Sequence, residues 1–390
     1  MIEHTIFSNM LTSIAEWFQI HGPLLWVAFF GLITLVILLY YGLLYARFAF
    51  KKTTKTDIRS EKPVSIVISA KNEAHHLIKT LPLYLEQVYP QFEVVIVNDN
   101  STDETADVVR DLMTQHPHLK LVDLTSSVTN IQGKKFPLSI GIKSASYEIL
   151  LLTDANTLPS SVYWLQNMAN HFTEKTEVVL GYSTFEKNTG FLNSLIHYDI
   201  MHTALQYFSY SLAGMTYKGN GKNLAYTKSL FMEKKGFASL NHLKYGDDDL
   251  FITQIANKNN CEIEYYKNSH TFSYSKQRFK DWIAEKRRHS TTFKHYKSGH
   301  KFLLNTYSLF TFLFFVVFGF ALFFSFQNRI LLSVLLGIFV IKTGFQYFLF
   351  GKAASKLDEK NVTPFILLFD VLFVVFNLFF FILSIFTRRK

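Results

Sequence analysis

LLLTDANT, residues 150–157, sets an apolar run directly in front of an acid and an amide. The run belongs to YEILLLT (147–153), which is short, aliphatic and without helical spacing, and reads as a buried strand. Asp154, Ala155 and Asn156 then stand where the chain leaves it. On either side, short apolar runs alternate with amphipathic stretches. VSIVIS (64–69), FEVVIV (92–97) and LKLVDL (119–124) are further predicted strands. Predicted helices cover 73–87, with Pro82 expected to kink or interrupt the first, and 102–115. Such alternation predicts an α/β fold, a mostly parallel sheet with crossover helices. Sheets of this kind bind ligands beyond the carboxyl ends of their strands. Asp154 and Asn156 therefore fall on the ligand edge.

A second strand ends in the same style. In VNDNSTDET (97–105), Asp99 follows FEVVIV, and Ser101 with Glu104 fits a capping box at a helix start. A lone acid in that place is ordinarily a turn or cap residue. Two strands of one sheet, each presenting an acid at the same edge, favour ligand binding instead. Asp99, Asp154 and the Asn156 oxygen suit a divalent cation holding a diphosphate. Hard oxygen ligands favour Mg²⁺ or Mn²⁺ over zinc.

Several stretches, in order from about residue 63 to 290, resemble the family 2 glycosyltransferases, membrane-attached members of the nucleotide-sugar-dependent GT-A group. VSIVISAKNEAHHL (64–77) resembles the family's opening strand and "RNE" turn, and VNDNSTDET its "VDDGSTDGT" turn. GKKFPLSIGI (133–142) is similar to "GKAxALNxGI", and TDAN to the "DAD" form of the DxD motif. GNGKNLAYTKSLF (219–231) resembles the glycine-rich acceptor-side segment, and GDDDLF (246–251) the "EDxxL" segment. EKRRH (285–289) lies where the family carries "QxxRW".

The resemblance implies a Rossmann-like GT-A sheet with flanking helices, and it implies roles. Ala70, Glu73 and Asp99 would contact the nucleoside, with Lys134 near the nucleotide. Asp154 would bind the bridging metal, with Asn156 as its partner where the family has an acid. Gly219, Asn220, Gly221 and Asn223 would lie on the acceptor side. The leaving diphosphate needs positive charge beside it, and the acceptor hydroxyl needs a base. The spacing to Leu250 makes Asp247 the base; alignment on the GDD triplet makes it Asp248. An acidic helix N-terminus is the ordinary reading for at least one of the three acids. Arg288 would reach phosphate. His289, in place of tryptophan, counts against a processive polysaccharide synthase. The stereochemistry implied is inversion by direct displacement.

Composition puts this domain beside a membrane. The chain has 390 residues, 49% of them hydrophobic, including 40 Phe. Apolar runs at 24–46, 302–326, 330–350 and 365–386 each approach or exceed the ~20 residues that span a bilayer core. Four spanning helices follow, the first read as a retained anchor. The resulting domains are an extracytoplasmic 1–23, a span at 24–46, a GT-A domain at 51–275, a basic amphipathic segment at 276–300 and three spans within 302–386. Residues 1–23 contain no Lys or Arg, whereas KKTTKTDIRSEK (51–62) is strongly basic. The positive-inside rule then places residues 51–300 in the cytoplasm of a multi-pass cell-membrane protein, although the terminal TRRK (387–390) runs against it.

The net charge of +10 is concentrated beside the apolar runs, where anionic lipid attracts it, and requires no nucleic acid. The single cysteine, Cys261, excludes an intrachain disulfide and reads as inert. No GxGxxG follows the first strand, against a dinucleotide-dependent oxidoreductase. Expected partners are a nucleotide-sugar donor, UDP-linked, a lipid, lipid-linked or glycan acceptor, and the bilayer. The alternatives are a processive polysaccharide synthase and a catalytically silent nucleotide-sugar-binding membrane protein, the latter favoured by Asn98 and Asn156. The 191–212 stretch reads as a packed helix, with His197 and His202 on its polar face. Lys342 and Asp370, each roughly 10 Å deep in a predicted span, are expected to pair.

Overall fold

The computed structural model describes residues 2–52, 59–124, 133–274 and 278–387, with side chains described from 21 to 376 within these, His289 excepted. Lys276, Gln277, the His289 side chain and residues 388–390 thus lie outside the described residues. The chain divides into two compact units. One takes Met1–Ala46, Phe302–Gly351 and Pro364–Lys390, the other Arg47–Lys301 and Lys352–Thr363.

The first unit is helical. Among the described residues three segments are long and apolar enough to cross a membrane: His21–Ala49, Ser298–Ser325 and Arg329–Lys356. Each has 28 or 29 residues, about 42 Å of helix against a hydrocarbon core of about 30 Å. The first does not begin at residue 24, because helix already runs from Ile2 through Pro23 to Tyr40 and on through a π turn, Tyr41–Tyr45. The stretch expected as a fourth span is the helix Ile366–Thr387, whose side chains from 377 onward are outside the described residues.

Lys342 and Asp370 meet inside this unit. The buried Lys342 ammonium lies 3.4 Å from Asp370 Oδ2, donates to Gln346 Oε1 at 2.6 Å and sits over the Phe314 ring. An unpaired charge in the middle of an apolar helix costs about 2.5–3.5 kcal/mol on insertion. Lys342→Ala or Asp370→Ala should therefore lower the amount of folded protein recovered from membranes. The double variant exchanging the two residues should restore it, and absence of rescue would show that the pair is incidental.

Among the described residues of the second unit, ten strands form two sheets. β1 (Val64–Ala70), β2 (Phe92–Asp99), β3 (Leu119–Leu124) and β4 (Ile149–Asp154) are mutually parallel, in the order β3-β2-β1-β4. The sheet continues through β8 (Leu224–Thr227), antiparallel to β4, then β6 (Val178–Leu180) and β9 (Cys261–Ile263). β5 (Thr157–Pro159), β10 (Thr271–Ser273) and β7 (Ser183–Phe185) form the second sheet.

The central strands are apolar on both faces because both are covered. Ile66, Ile68, Val94, Ile96 and Leu151 pack in one core with Leu77, Leu81 and Leu85 of the helix Ala74–Leu85. On the other face, Gly141 of the helix Lys135–Ser144 comes so close that a Cβ would meet Val97 Cγ2 at 2.6 Å and Val67 Cγ1 at 2.8 Å. Only glycine allows that approach.

Two local expectations are corrected. The helix Ala74–Leu85 runs through Pro82 to its end three residues later. The carbonyl deprived of its partner is that of Ile78, a residue 59% exposed, so water can satisfy it. The second helix starts at Thr105 rather than 102, and no capping box forms. Ser101 Oγ instead accepts from the Asn72 N–H, and Asp103 accepts from the N–H groups of Ala74 and Thr105. Short polar side chains compete for backbone donors in this way, and here they stitch the β1 exit to the β2 exit.

Candidate active site

The strand order reverses between β1 and β4, so a crevice opens at the carboxyl end of this pair. Asp154 ends β4 there, level with Ser69 of β1. It lines a cleft of ≈ 250 Å³ together with Lys134, Asn220, Gly221, Lys222, Asp247, Asp248 and Arg288.

Backbone contacts bring the remote segments to it. Gly133 has φ +82°, and a Cβ on it would collide with the Lys244 carbonyl oxygen, so glycine alone fits against that loop. Buried Lys135 donates to the carbonyls of Leu243 and Tyr245. The 133–135 and 243–249 loops are thereby joined, and Lys134 is aimed at both acids. Its ammonium donates to Asp154 Oδ1 at 2.6 Å and lies 3.7 Å from Asp247 Oδ2.

The three acids of the triplet have different surroundings. Asp249 caps the helix Leu250–Ile255 and accepts from Thr292 Oγ1 at 2.5 Å and Tyr296 Oη at 2.9 Å. The ordinary reading holds for this residue. The Asp248 carbonyl accepts from the Gly219 N–H at 3.0 Å, and its carboxylate is 3.4 Å from the Gly221 N–H. Asp247 is buried. Burial pushes its carboxyl up, Lys134 pulls it down, and the Asp248 charge adds to the rise, leaving it above the ordinary carboxylate range. Asp154 moves the other way. Burial works against its charge, but Lys134, then Lys222 and Arg288, hold it below that range. Two carboxylates driven apart in this manner are suited to different tasks, one to take a proton and one to stay ionised.

Ala70, Glu73 and Asp99 gather at the neighbouring exits of β1 and β2. Glu73 Oε2 lies 2.5 Å from His76 Nδ1, and Asp99 Oδ2 3.4 Å from the Lys71 ammonium. Asp99 does not share a cation with Asp154. β1 intervenes between their strands, a separation of roughly 10 Å across the sheet. Asn98 is held structurally, donating to Asp123 Oδ1 and accepting from the Ser101 N–H.

On the acceptor side the expectation divides. Asn220 and Gly221 line the cleft, whereas Gly219 serves by anchoring the Asp248 carbonyl. Asn223 is corrected: it is fully buried, accepting from Trp164 Nε1 and donating to the carbonyls of Tyr182 and Ser269. An amide with that many satisfied bonds is a scaffold element. Arg288, on the helix Phe279–Phe293, reaches the cleft beside Tyr245, 5.8 Å from the ring centroid. Phe279 and Trp282 lie side by side on this helix, ring centroids 5.3 Å apart, with Trp282 buried and Phe279 41% exposed.

Sequence reasoning passed over three residues. Lys222 donates to Ser273 Oγ at 2.9 Å and adds to the positive field on Asp154. As a cation inside the quoted glycine-rich segment, it could have been singled out. Asp199 accepts from Trp282 Nε1 at 3.0 Å and from Lys286 at 2.7 Å, tying the Arg288 helix to the helix Phe191–Leu212. An acid in a mostly apolar helix was its signal.

Glu359 had no signal. It is fully buried, 2.9 Å from His197 Nδ1, and accepts from Thr184 Oγ1 at 2.8 Å and Tyr182 Oη at 3.1 Å. His197 therefore does not lie on a polar face. Removing one member of such a buried pair typically costs about 3–5 kcal/mol. Glu359→Ala should accordingly lower the thermal midpoint in detergent by many degrees, with Glu359→Gln losing less; midpoints equal to wild type would refute a structural pair. Burial pushes the Cys261 thiol up to about 11, which disfavours the nucleophilic thiolate.

Residues 65–234 match the sequence family described as Glycosyl transferase family 2. The chain contains a family 2 glycosyltransferase domain. This domain is similar to the poly-β-1,6-N-acetyl-D-glucosamine synthase of Staphylococcus epidermidis, 35% identical over 104 residues, which are 27% of this chain and 24% of that one. It is also similar to the probable glycosyltransferase YdaM of Bacillus subtilis, 29% identical over 115 residues, 28% of this chain and 27% of the relative. The chain thus matches about a quarter of the length of these curated relatives. Among solved structures, the mannosyltransferase PcManGT from Pyrobaculum calidifontis, in complex with GDP-Man and Mn²⁺, superposes with a TM-score of 0.52 at 18% identity, covering 88% of this chain and 99% of that one. At that identity the likeness establishes the fold, an α/β sheet of GT-A type.

Proposed function

We propose that this chain is a membrane-attached inverting glycosyltransferase. It moves a sugar from a nucleoside-diphosphate donor, UDP-linked, to a hydroxyl of a lipid, lipid-linked or glycan acceptor at the cytoplasmic face. The observation that carries the reading is the cleft at the β1/β4 crevice. There Asp154 and Asp247, displaced oppositely in acidity, face a common lysine within a family 2 domain.

Asp247 accepts the acceptor's proton as its oxygen attacks the anomeric carbon, and the diphosphate departs from the opposite face. Lys134, Lys222 and Arg288 meet the charge that develops on the leaving group. Ala70, Glu73 and Asp99 hold the nucleoside. The residues present fit a divalent cation. Asn156 Oδ1 is a buried acceptor without a hydrogen-bond partner, two residues beyond Asp154. Asp154 and Asn156 would hold Mg²⁺ or Mn²⁺, with donor phosphate and water completing the shell. Bound there, the ion supplies Lewis-acid stabilisation of the leaving diphosphate.

The test uses purified full-length protein in detergent, offered a panel of nucleotide sugars with Mn²⁺ and membrane lipid or glycan acceptors. Release of nucleoside diphosphate from one donor, with sugar appearing on an acceptor, is expected. Release indistinguishable from buffer across the whole panel would end the reading. The synthase relatives favour a second one, glycan elongation, against the expectation drawn from His289. A ladder of products rather than a single species would establish it.

A further inference from the structure

The Lys134 ammonium stands where a metal ion would need to act. It donates to Asp154 Oδ1 at 2.6 Å and lies 3.7 Å from Asp247 Oδ2. The neighbouring Asn156 Oδ1 is buried and without a hydrogen-bond partner. Of the two oxygens expected to hold the ion, one is thus engaged by an internal cation and the other has no hydrogen-bond partner. We propose that Lys134 competes with a divalent cation for Asp154, so that the metal enters only together with the donor diphosphate.

The reason is electrostatic. An ammonium on one oxygen of a carboxylate repels a divalent ion approaching the other and draws off part of the charge that would hold it, so Lys134 on Asp154 Oδ1 weakens the site for the ion. The ion reaches Asp154 most favourably when Lys134 withdraws. Withdrawal alone would leave the ammonium without its closest partner and Asp247 without its nearest cation. A diphosphate changes that balance. It brings new anionic oxygens for Lys134 and further ligands for the ion at the same time. Lysine is suited to such an exchange, being a compact charge on a flexible four-carbon stem, and this side chain is 40% exposed. The consequence is coupling between the two ligands, which is reciprocal: nucleotide tightens metal binding by the factor by which metal tightens nucleotide binding. An ion that binds early would hold the cleft in a state without donor, and the lysine prevents this.

The competition rests on the glycosyl-transfer reading only for the identity of the ion. Its test measures binding, not turnover. Mn²⁺ is titrated into full-length protein in detergent at fixed pH without nucleotide, and free Mn²⁺ is read by its electron paramagnetic resonance signal. Lys134→Met should bind Mn²⁺ at least about tenfold more tightly than wild type, and Lys134→Arg should not. Equal affinity in wild type and Lys134→Met, or weaker binding in the variant, overturns the proposal. Should Lys134→Met lose its cooperative melting transition, wild type alone decides. UDP should then tighten Mn²⁺ binding by at least about tenfold, and Mn²⁺ binding equally well without UDP overturns the proposal. The two readings fail separately. A chain that releases no nucleoside diphosphate but shows the Lys134→Met gain loses the assigned function and keeps the competition. A chain that turns over a donor without that gain does the reverse.

Discussion

Asp247→Asn is expected to reduce sugar transfer by about 10²–10⁴-fold while leaving nucleoside diphosphate affinity within a few-fold of wild type. The carboxylate is the proton acceptor in the proposed displacement, and asparagine keeps its shape without its basicity. Donor binding should persist because Lys134, Lys222 and Arg288, cations lining the cleft, are unchanged. Asp248→Asn separates the two candidate bases. It should retain most of the transfer rate, since this residue is held by the glycine-rich loop.

The pH profile adds a second readout. A general base works only when deprotonated, so kcat/KM falls as pH drops through the Asp247 pKa. That limb should lie above the ordinary carboxylate range, because burial raises Asp247. The Asp248 charge contributes to the rise, so Asp248→Asn should move the limb to lower pH. Steady-state rates across the acidic and neutral range would be measured for wild type and both variants. Full activity in Asp247→Asn with loss in Asp248→Asn would transfer the role to Asp248.

Asp154→Ala should abolish measurable donor turnover, a loss of about 10²–10³-fold or more. Two effects combine. The variant removes the carboxylate that would ligate the divalent ion, and it releases Lys134 from its closest partner. Thermal stability should change little, because Asp154 ends its strand at a partly exposed edge with no role in the apolar core. Nucleoside diphosphate release, Mn²⁺ dependence and the melting midpoint would be measured together. Wild-type release from a natively melting Asp154→Ala protein would remove the metal role given to this residue.

Much of this was legible along the chain. The aliphatic runs ending in Asp99 and Asp154 announced strands with acids at one edge, because strand formation and burial on two covered faces are local properties of composition. The long apolar runs announced membrane-length helices for the same reason, and three of them are present among the described residues. The capping box at Ser101 misled because hydroxyl and carboxylate side chains can bond to any nearby backbone donor, and the nearest came from a different loop.

The site itself was decided by the fold. The same-edge placement of Asp99 and Asp154 was readable, but the intervening β1, which forbids a shared cation, follows from strand order. Asn223 and Asn220 look alike in sequence, and only packing buries one and exposes the other to the cleft. Asp247, Asp248 and Asp249 are consecutive identical residues. Their roles separate because a helix end, a glycine-rich loop and Lys134 each approach from a different part of the chain. Composition and periodicity thus settled which segments become strands and helices and which carry acids. Charge partners settled what each acid can do, and in a folded chain those partners are set by proximity in space, which one-dimensional order does not contain.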